Sequence, residues 1–212
     1  MKIAIIDNYD SFVYNLIRYL EEESEASLSI MRNNEIDEQK LKDADAILLS
    51  PGPGIPSEAG ELMRIIKDYH KEKVILGVCL GHQALAEFFG NKLELCTAPF
   101  HGESSEIEIL ENVFLFQDLK TKVTVGRYHS WRTNRDLKAP LVVTALSEQN
   151  EVMAFRHESL PISGIQFHPE SILTPDGRKM IQNWVREISK TSPFGGGPDS
   201  YREKGRTGVI LE

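Results

Sequence analysis

The sequence is poor in several features that mark specialised classes of protein. Its 212 residues include only two cysteines, Cys79 and Cys96, which are too few for the disulfide framework of a small secreted domain. The formal net charge is -8 and there is no run rich in lysine and arginine, so we expect neither nucleic-acid binding nor attachment to an anionic membrane. The first apolar run ends at Asp7, too early for a signal peptide or a membrane span. We therefore expect a reduced, cytoplasmic protein.

Short apolar runs alternate with helix-like stretches through the first half of the chain. This alternation favours a mostly parallel sheet covered by helices on both faces. Asp10 is the predicted N-cap of the first helix, and Gly90 is the predicted C-terminal stop of the fourth. The patterns predict strands at 3–6, 28–31, 46–49 and 74–78, and helices at 11–22, 37–42, 57–70 and 80–89.

The second half of the chain is richer in strand patterns. These patterns predict strands at 106–110, 122–125, 141–145, 152–156 and 162–167, followed by a helix at 176–189. From Thr191 onward the composition changes to glycine, proline and polar residues, which is typical of a flexible tail. The prediction is one domain at 1–190 and a C-terminal tail at 191–212.

Cys79 lies between the predicted fourth strand and the helix after it, in the pattern GVCLG at 77–81. The same pattern with serine is a nucleophile elbow, a tight turn that exposes a reactive side chain at the carboxyl ends of the strands. The N-terminus of the following helix would favour negative charge on the sulfur, and the Leu80 N–H would be free to bind an oxyanion. The alternative is that Cys79 is a small buried apolar residue, which is the usual state of a free cysteine and our interpretation of Cys96.

A thiolate nucleophile needs a base, and the base needs a partner that orients it. The segment QFHPES at 166–171 offers both, because residues two apart in an extended segment point the same way. His168 and Glu170 are therefore predicted to face one site. Taken alone, the residues HPE at 168–170 could be a surface turn.

The segment PGPG at 51–54 follows a predicted strand and could supply a second oxyanion donor, although alone it is better explained as a plain loop. No glycine-rich stretch matches the phosphate-loop pattern. The other histidines show no metal-ligand spacing, so no metal site is predicted; they are His70, His82, His101, His129 and His157.

Together these segments resemble a known family. The pieces SPGPG at 50–54, GVCLGHQ at 77–83 and GIQFHPE at 164–170 resemble the triad, or class I, glutamine amidotransferases. More narrowly, DNYDSF at 7–12, RYHSW at 127–131 and HPESILT at 168–174 resemble the amidotransferase subunits of anthranilate synthase and aminodeoxychorismate synthase. The resemblance covers roughly residues 1–190, with the motifs in the same order.

The resemblance implies an α/β fold, a doubly wound and mostly parallel sheet with flanking helices and additional β structure. It also implies that Cys79 is the nucleophile, His168 the base and then the acid, and Glu170 the residue that orients it. The N–H groups of Gly52 and Leu80 would form the oxyanion hole, and glutamine would be bound by Gly52, Pro53, Gly54, Gln83, Ser130 and Trp131. Glutamine would be hydrolysed without a cofactor in this subunit, and the ammonia would pass to a larger subunit that binds chorismate and Mg²⁺.

Two positions depart from the family pattern. Glu103 stands where a lysine is usual, and Trp131 where a leucine is common. The charge reversal at Glu103 changes the surface that this loop could present to a partner, and it does not involve the predicted triad. Trp131 stays apolar, so contact with glutamine through the backbone should survive.

Two other interpretations remain open at this point. A non-catalytic or regulatory subunit could share the fold, but such a relative should have lost part of the triad. A stand-alone cysteine hydrolase could share the architecture, although the segments DNYDSF and RYHSW argue against it.

Overall fold

The structure, a computed structural model, describes residues 1–191. Sixteen helices and strands are numbered here in chain order. The strands are β1 (Lys2–Asp7), β2 (Ser27–Arg32), β3 (Ala46–Leu49), β4 (Val74–Val78), β5 (Leu93–Leu95), β6 (Glu103–Ile109), β7 (Lys122–Arg127), β8 (Trp131–Thr133), β9 (Leu141–Ser147), β10 (Val152–His157) and β11 (Ile162–Ile165). The helices are α1 (Val13–Glu23), α2 (Glu38–Asp43), α3 (Leu62–Tyr69), α4 (Leu80–Phe88) and α5 (Gly177–Thr191).

A nine-stranded sheet in the order β2-β1-β3-β4-β11-β10-β9-β6-β7 forms the centre of the molecule. The pairings from β2 to β11 are parallel, and those from β11 to β7 are antiparallel. The predicted fold class, a mostly parallel sheet with flanking helices and additional β structure, is confirmed.

Alternation along β1 divides the core between the two faces of the sheet. Ile3 and Ile5 pack in one cluster with the apolar sides of α1 and α5. Ala4 and Ile6 pack in a second cluster with α2, α3 and α4. Successive residues of a strand point to opposite faces, so a strand that is apolar throughout requires helices on both.

Two of the predicted helices begin or run differently from the prediction. Asp10 is not the N-cap of α1, because Phe12 holds that position without a side-chain cap. The Asp10 carboxylate instead accepts the Phe12 N–H at 2.7 Å, in a turn that precedes the helix. The helix predicted at 57–70 is divided into a 3₁₀ turn at Pro56–Glu58 and α3. Gly60 lies between them with φ +53°, and a Cβ there would be 2.7 Å from the Asn33 carbonyl oxygen.

Gly90 follows α4 with φ +83°, as its predicted role as a C-terminal stop requires. The strand predicted at 162–167 ends earlier, at Ile165. The antiparallel pair β5 and β8 was missed, because three residues on each strand are too few to show a strand period. At the other end of the chain, α5 extends through Thr191, and the rest of the predicted tail at 191–212 lies outside the described residues.

Candidate active site

Cys79 lies on a strained turn between β4 and α4. Its backbone has φ +50° and ψ −99°, which a non-glycine residue rarely adopts outside a functional site. The glycines on either side allow the turn to be tight. A Cβ on Gly77 would be 2.5 Å from the Gly81 backbone, and one on Gly81 would overlap the Leu49 carbonyl oxygen. The Cys79 N–H donates to the Ile165 carbonyl at 2.8 Å, so the turn is attached to the end of β11.

His168 follows β11 and is held through its own backbone. Its N–H donates to the Gly126 carbonyl of β7 at 3.0 Å, and its carbonyl accepts the Thr174 hydroxyl at 2.6 Å. The same Thr174 oxygen accepts the Gly126 N–H at 2.9 Å. The imidazole is therefore carried by a backbone that is hydrogen-bonded on both sides, as a base with a fixed position requires.

The side chains of His168 and Glu170 are both buried and face each other. His168 Nδ1 lies 2.6 Å from Glu170 Oε1. Within the described residues, His168 Nε2 has no partner of ordinary hydrogen-bond geometry, and it is the nitrogen left to interact with the Cys79 sulfur. Burial acts to lower the pKa of His168, but the nearby Cys79 sulfur and Glu170 outweigh it and raise that pKa well above its ordinary value.

Gly52 lies against the start of α4, where the prediction required an oxyanion donor. A Cβ on Gly52 would be 2.5 Å from the Asn8 carbonyl oxygen and 2.9 Å from the Leu80 side chain. Asn8 ties this loop to β1, donating its backbone N–H to the Ser50 hydroxyl at 2.9 Å and its amide to the Ser50 carbonyl at 2.8 Å. Leu80 is the first residue of α4, so its N–H has no acceptor within the helix.

The remaining predicted glutamine-binding residues are Pro53, Gly54, Gln83, Ser130 and Trp131. Pro53 and Gly54 are exposed, and Gly54 has φ +77°. Gln83 of α4 donates its amide to the Trp131 carbonyl at the start of β8, at 2.7 Å. Ser130 is exposed, and its carbonyl accepts the Cys96 N–H at 2.8 Å. The structure thus brings Gln83 and the 130–131 segment together, with the latter held by β5 and β8.

Three residues of this site were missed by sequence reasoning. Gln166 is fully buried, and its amide nitrogen lies 3.7 Å from the Cys79 sulfur. Its position two residues before His168 was the available signal. Asp10 lies close enough to interact electrostatically with His168 and Glu170, and its pKa is raised chiefly by burial.

Arg127 is the third, at the end of β7. It is fully buried, forms an ion pair with Glu151 that Arg132 shares, and covers the Phe100 ring with its guanidinium 3.5 Å from the ring centroid. Glu151 is far from Arg127 in the sequence, and no pattern connects the two.

Cys96 lies outside this arrangement. It is partly buried, its sulfur is 3.7 Å from His129 Nδ1, and its pKa is raised chiefly by burial. Among residues 1–191, no group of three or more His, Cys, Asp and Glu side chains has an arrangement suited to a metal ion. In the same range, no helix is long and apolar enough to cross a membrane.

Residues 4–188 match the family model described as "Glutamine amidotransferase class-I". The chain belongs to the class I glutamine amidotransferase family. A solved glutamine amidotransferase of Thermotoga maritima has the same fold, with a TM-score of 0.71 at 16% identity over 90% of this chain and 96% of that one.

Curated relatives of this amidotransferase carry more specific names. It is 42% identical to "Aminodeoxychorismate/anthranilate synthase component 2" of Bacillus subtilis, over 89% of this chain and 97% of that protein. It is 41% identical to "Anthranilate synthase component 2" of Saccharolobus solfataricus, over 87% of this chain and 97% of that protein. The corresponding protein of Lactococcus lactis is 39% identical, over 89% of this chain and 96% of that protein.

Proposed function

We propose that this protein is a cytoplasmic subunit that hydrolyses glutamine and passes the ammonia to a larger, chorismate-using synthase subunit. The observation that carries the proposal is the spatial arrangement of three buried residues, Cys79, His168 and Glu170. They follow one another in the order that a nucleophile, a base and an orienting carboxylate need. The names of its relatives, which are components of anthranilate and aminodeoxychorismate synthases, support the choice of partner.

In the proposed reaction, the Cys79 sulfur attacks the side-chain carboxamide carbon of glutamine. The electron pair of the carbonyl moves to oxygen, where the N–H groups of Gly52 and Leu80 stabilise the oxyanion. The tetrahedral intermediate collapses, its C–N bond breaks, and His168 gives the proton that lets ammonia leave. The raised pKa of His168 supports this step, because the imidazole then holds its proton when the sulfur is charged.

The product of this half of the reaction is a γ-glutamyl thioester on Cys79. Water attacks the thioester carbon and gives a proton to His168, which now acts as the base. The C–S bond breaks, glutamate leaves, and the sulfur and imidazole return to their first states. The new carboxyl group loses its proton to solvent, so the sum is glutamine plus water giving glutamate, ammonia and one proton, with no cofactor in this subunit. Ammonia must stay unprotonated to react again, which favours direct docking to the synthase.

The alternative is a non-catalytic or regulatory subunit with the same fold. The strained backbone of Cys79 argues against this alternative, because such strain has no structural benefit in a subunit that only binds. The same geometry also fits a stand-alone cysteine hydrolase, and the names of the relatives favour the synthase subunit.

The test is a reconstituted synthase. The purified protein is mixed with an anthranilate synthase large subunit, chorismate, Mg²⁺ (expected to bind the large subunit) and glutamine, and anthranilate fluorescence is followed. A parallel reaction receives ammonium in place of glutamine. Glutamine-dependent fluorescence that disappears with Cys79→Ala, while the ammonium reaction continues, would support the proposal. Fluorescence with ammonium alone would exclude this partner, and the aminodeoxychorismate synthase would be tested next.

A further inference from the structure

We infer that Gln166 binds the Cys79 sulfur through its amide N–H, and that Gln83 and the Trp131 carbonyl set the direction of this contact. The inference rests on the proposed role of Cys79 as the nucleophile. It adds a residue to the reaction, Gln166, and a second role for Gln83 as a positioning residue.

The direction of the two amides follows from the Trp131 carbonyl, which can only accept. Gln83 must turn its nitrogen toward this carbonyl, at 2.7 Å. The second N–H of the same nitrogen is then available to Gln166 Oε1, at 3.2 Å. With its oxygen used in this way, Gln166 must turn its own nitrogen toward the Cys79 sulfur, at 3.7 Å. Reversing Gln83 would bring its oxygen against the Trp131 carbonyl oxygen, and reversing Gln166 would bring its nitrogen against the Gln83 nitrogen, two donors.

The Trp131 carbonyl is held in place from its other side. Arg127 can only donate, and its Nε lies 3.2 Å from His129 Nε2, so that nitrogen must accept. The proton of the neutral imidazole is then on Nδ1, which donates to the Trp131 carbonyl at 2.9 Å. Arg127 is itself fixed by Glu151, a buried carboxylate.

The result is one continuous chain of hydrogen bonds from a buried ion pair to the sulfur, in which His129 and Gln83 both donate to the Trp131 carbonyl. It passes from Arg127 through His129, the Trp131 carbonyl and Gln83 to Gln166. Both glutamines are buried, and in such surroundings an N–H that faces a sulfur stabilises negative charge on it more than it would in water. Trp131 also begins β8, the strand expected to hold glutamine. The chain therefore links the glutamine-binding segment to the charge on the Cys79 sulfur.

The charged groups near the sulfur are few. His168 faces it, Glu170 contacts the far side of the imidazole, and Asp10 interacts electrostatically with both residues. Burial lowers the pKa of His82 and of His129 to about 3, so both stay neutral at the pH of an alkylation experiment. A change in the reactivity of Cys79 on altering a neutral glutamine can therefore be assigned to the lost N–H.

The test measures the rate of Cys79 alkylation by iodoacetamide against pH, by mass spectrometry of the peptide that contains Cys79, without glutamine or a partner. Gln166→Met keeps about the same volume and removes the N–H. We expect the pH midpoint of alkylation in this variant to rise by about one unit. The free energy of a hydrogen bond to a charged group corresponds to a shift of about that size. Gln149→Met, in the exposed turn between β9 and β10, is the matched control and should leave the profile unchanged.

The role of Gln83 is tested with a double-variant cycle in the same assay. Gln83→Met should raise the midpoint by less than Gln166→Met does. In the Gln83 variant Gln166 keeps its N–H and loses only the hydrogen bond that orients its amide. The double variant should match Gln166→Met alone, since Gln83 acts through Gln166. Additive shifts would show that the two glutamines act separately and would overturn the chain.

An unchanged midpoint in Gln166→Met would show that the amide only fills space, and the inference would be wrong. If that variant did not fold, Gln166→Leu, which also lacks the amide N–H and carries no charge, would replace it; its midpoint must rise above that of the wild type for the inference to stand. Glutamine hydrolysis is measured separately on the wild-type protein. Its absence, with a normal alkylation profile, would count against the proposed function and leave the Gln166 contact intact.

Discussion

Gly177, the first residue of α5, packs directly against the backbone carbonyl of Pro169. A Cβ at this glycine would overlap the Pro169 carbonyl oxygen. Pro169 is the residue between His168 and Glu170, so α5 supports the pair from behind. This contact explains how a segment outside the regular strands can hold the side chains of His168 and Glu170 in place.

Gly177→Ala should therefore damage both stability and chemistry. The added methyl group must push Pro169 aside, at a cost of about 1–3 kcal/mol in the free energy of unfolding. A displacement of the imidazole by about 1 Å would lower glutamine hydrolysis by about 100-fold. Urea unfolding and glutaminase assays measure the two effects. Gly90→Ala is the control, since no non-neighbouring atom of residues 1–191 lies within 4 Å of its Cβ position; it should lose some stability through its positive φ and retain its activity.

Only one of the two cysteines should matter for glutamine use. Cys96→Ala removes a partly buried thiol that contacts His129, and we expect hydrolysis within about twofold of wild type once a modest loss of stability is allowed for. Cys79→Ala should reduce hydrolysis to background. Equal losses in both variants, with both proteins folded, would show that the chemistry does not depend on Cys79 in the way proposed.

Glu170→Gln should change the pH dependence of hydrolysis. Glu170 helps to raise the pKa of His168, so its neutral amide should lower that pKa and move the alkaline limb of the pH–rate profile to lower pH, by at least about one unit. Glu148→Gln, in an exposed turn, is the control for the change of charge. A profile that loses height without moving would mean that Glu170 orients the imidazole and has no effect on its charge.

The same shift has a consequence for stability. Folding raises the pKa of His168 above its ordinary value of 6.5, so the folded state binds this proton more tightly than the unfolded chain does. The contribution is complete below about pH 6.5 and is lost as the pH rises through the higher folded value. In Glu170→Gln the contribution should be smaller and its loss should be complete at lower pH, which urea unfolding at a series of pH values would measure.

Arg127→Met should be among the most destabilising changes in the protein. Removing Arg127 takes one of two cations from the buried Glu151 carboxylate, and loss of a partner from a buried ion pair costs about 3–5 kcal/mol. Lys122→Met removes a partner of the exposed pair between Lys122 and Glu106 and should have little measurable effect. A small change in Arg127→Met would indicate that Arg132 alone satisfies Glu151.

The features predicted from sequence are those that depend on neighbours along the chain. The apolar runs of β1, β3 and β4 were recognisable without tertiary information, and so was the turn at Cys79 with a glycine two residues away on each side. His168 and Glu170 could be paired because two residues of extended chain already place them on one side. The break at Gly60 could not be predicted in this way, because it is caused by the backbone of Asn33.

The hydrogen-bonded side chains that connect Arg127 to the Cys79 sulfur could not be predicted from the sequence for a similar reason. Gln83 and Gln166 meet only because α4 and β11 are neighbours in the folded structure. Arg127 and Glu151 lie on different strands, and an isolated arginine or glutamate in a sequence suggests an exposed residue. The departure at Glu103 is at the start of β6, where its side chain is exposed and no contact of the described residues explains it.

The parallel pairing of β4 with β11 also determines when the protein can react. Cys79 follows the first of these strands and His168 the second, so the proposed nucleophile is synthesised long before its proposed base. A nascent chain on the ribosome has a cysteine turn without an imidazole until residues beyond 170 have left the exit tunnel and β11 has inserted beside β4. On the proposed mechanism, the growing polypeptide should be unable to release ammonia, and unfinished molecules should not consume the cell's glutamine.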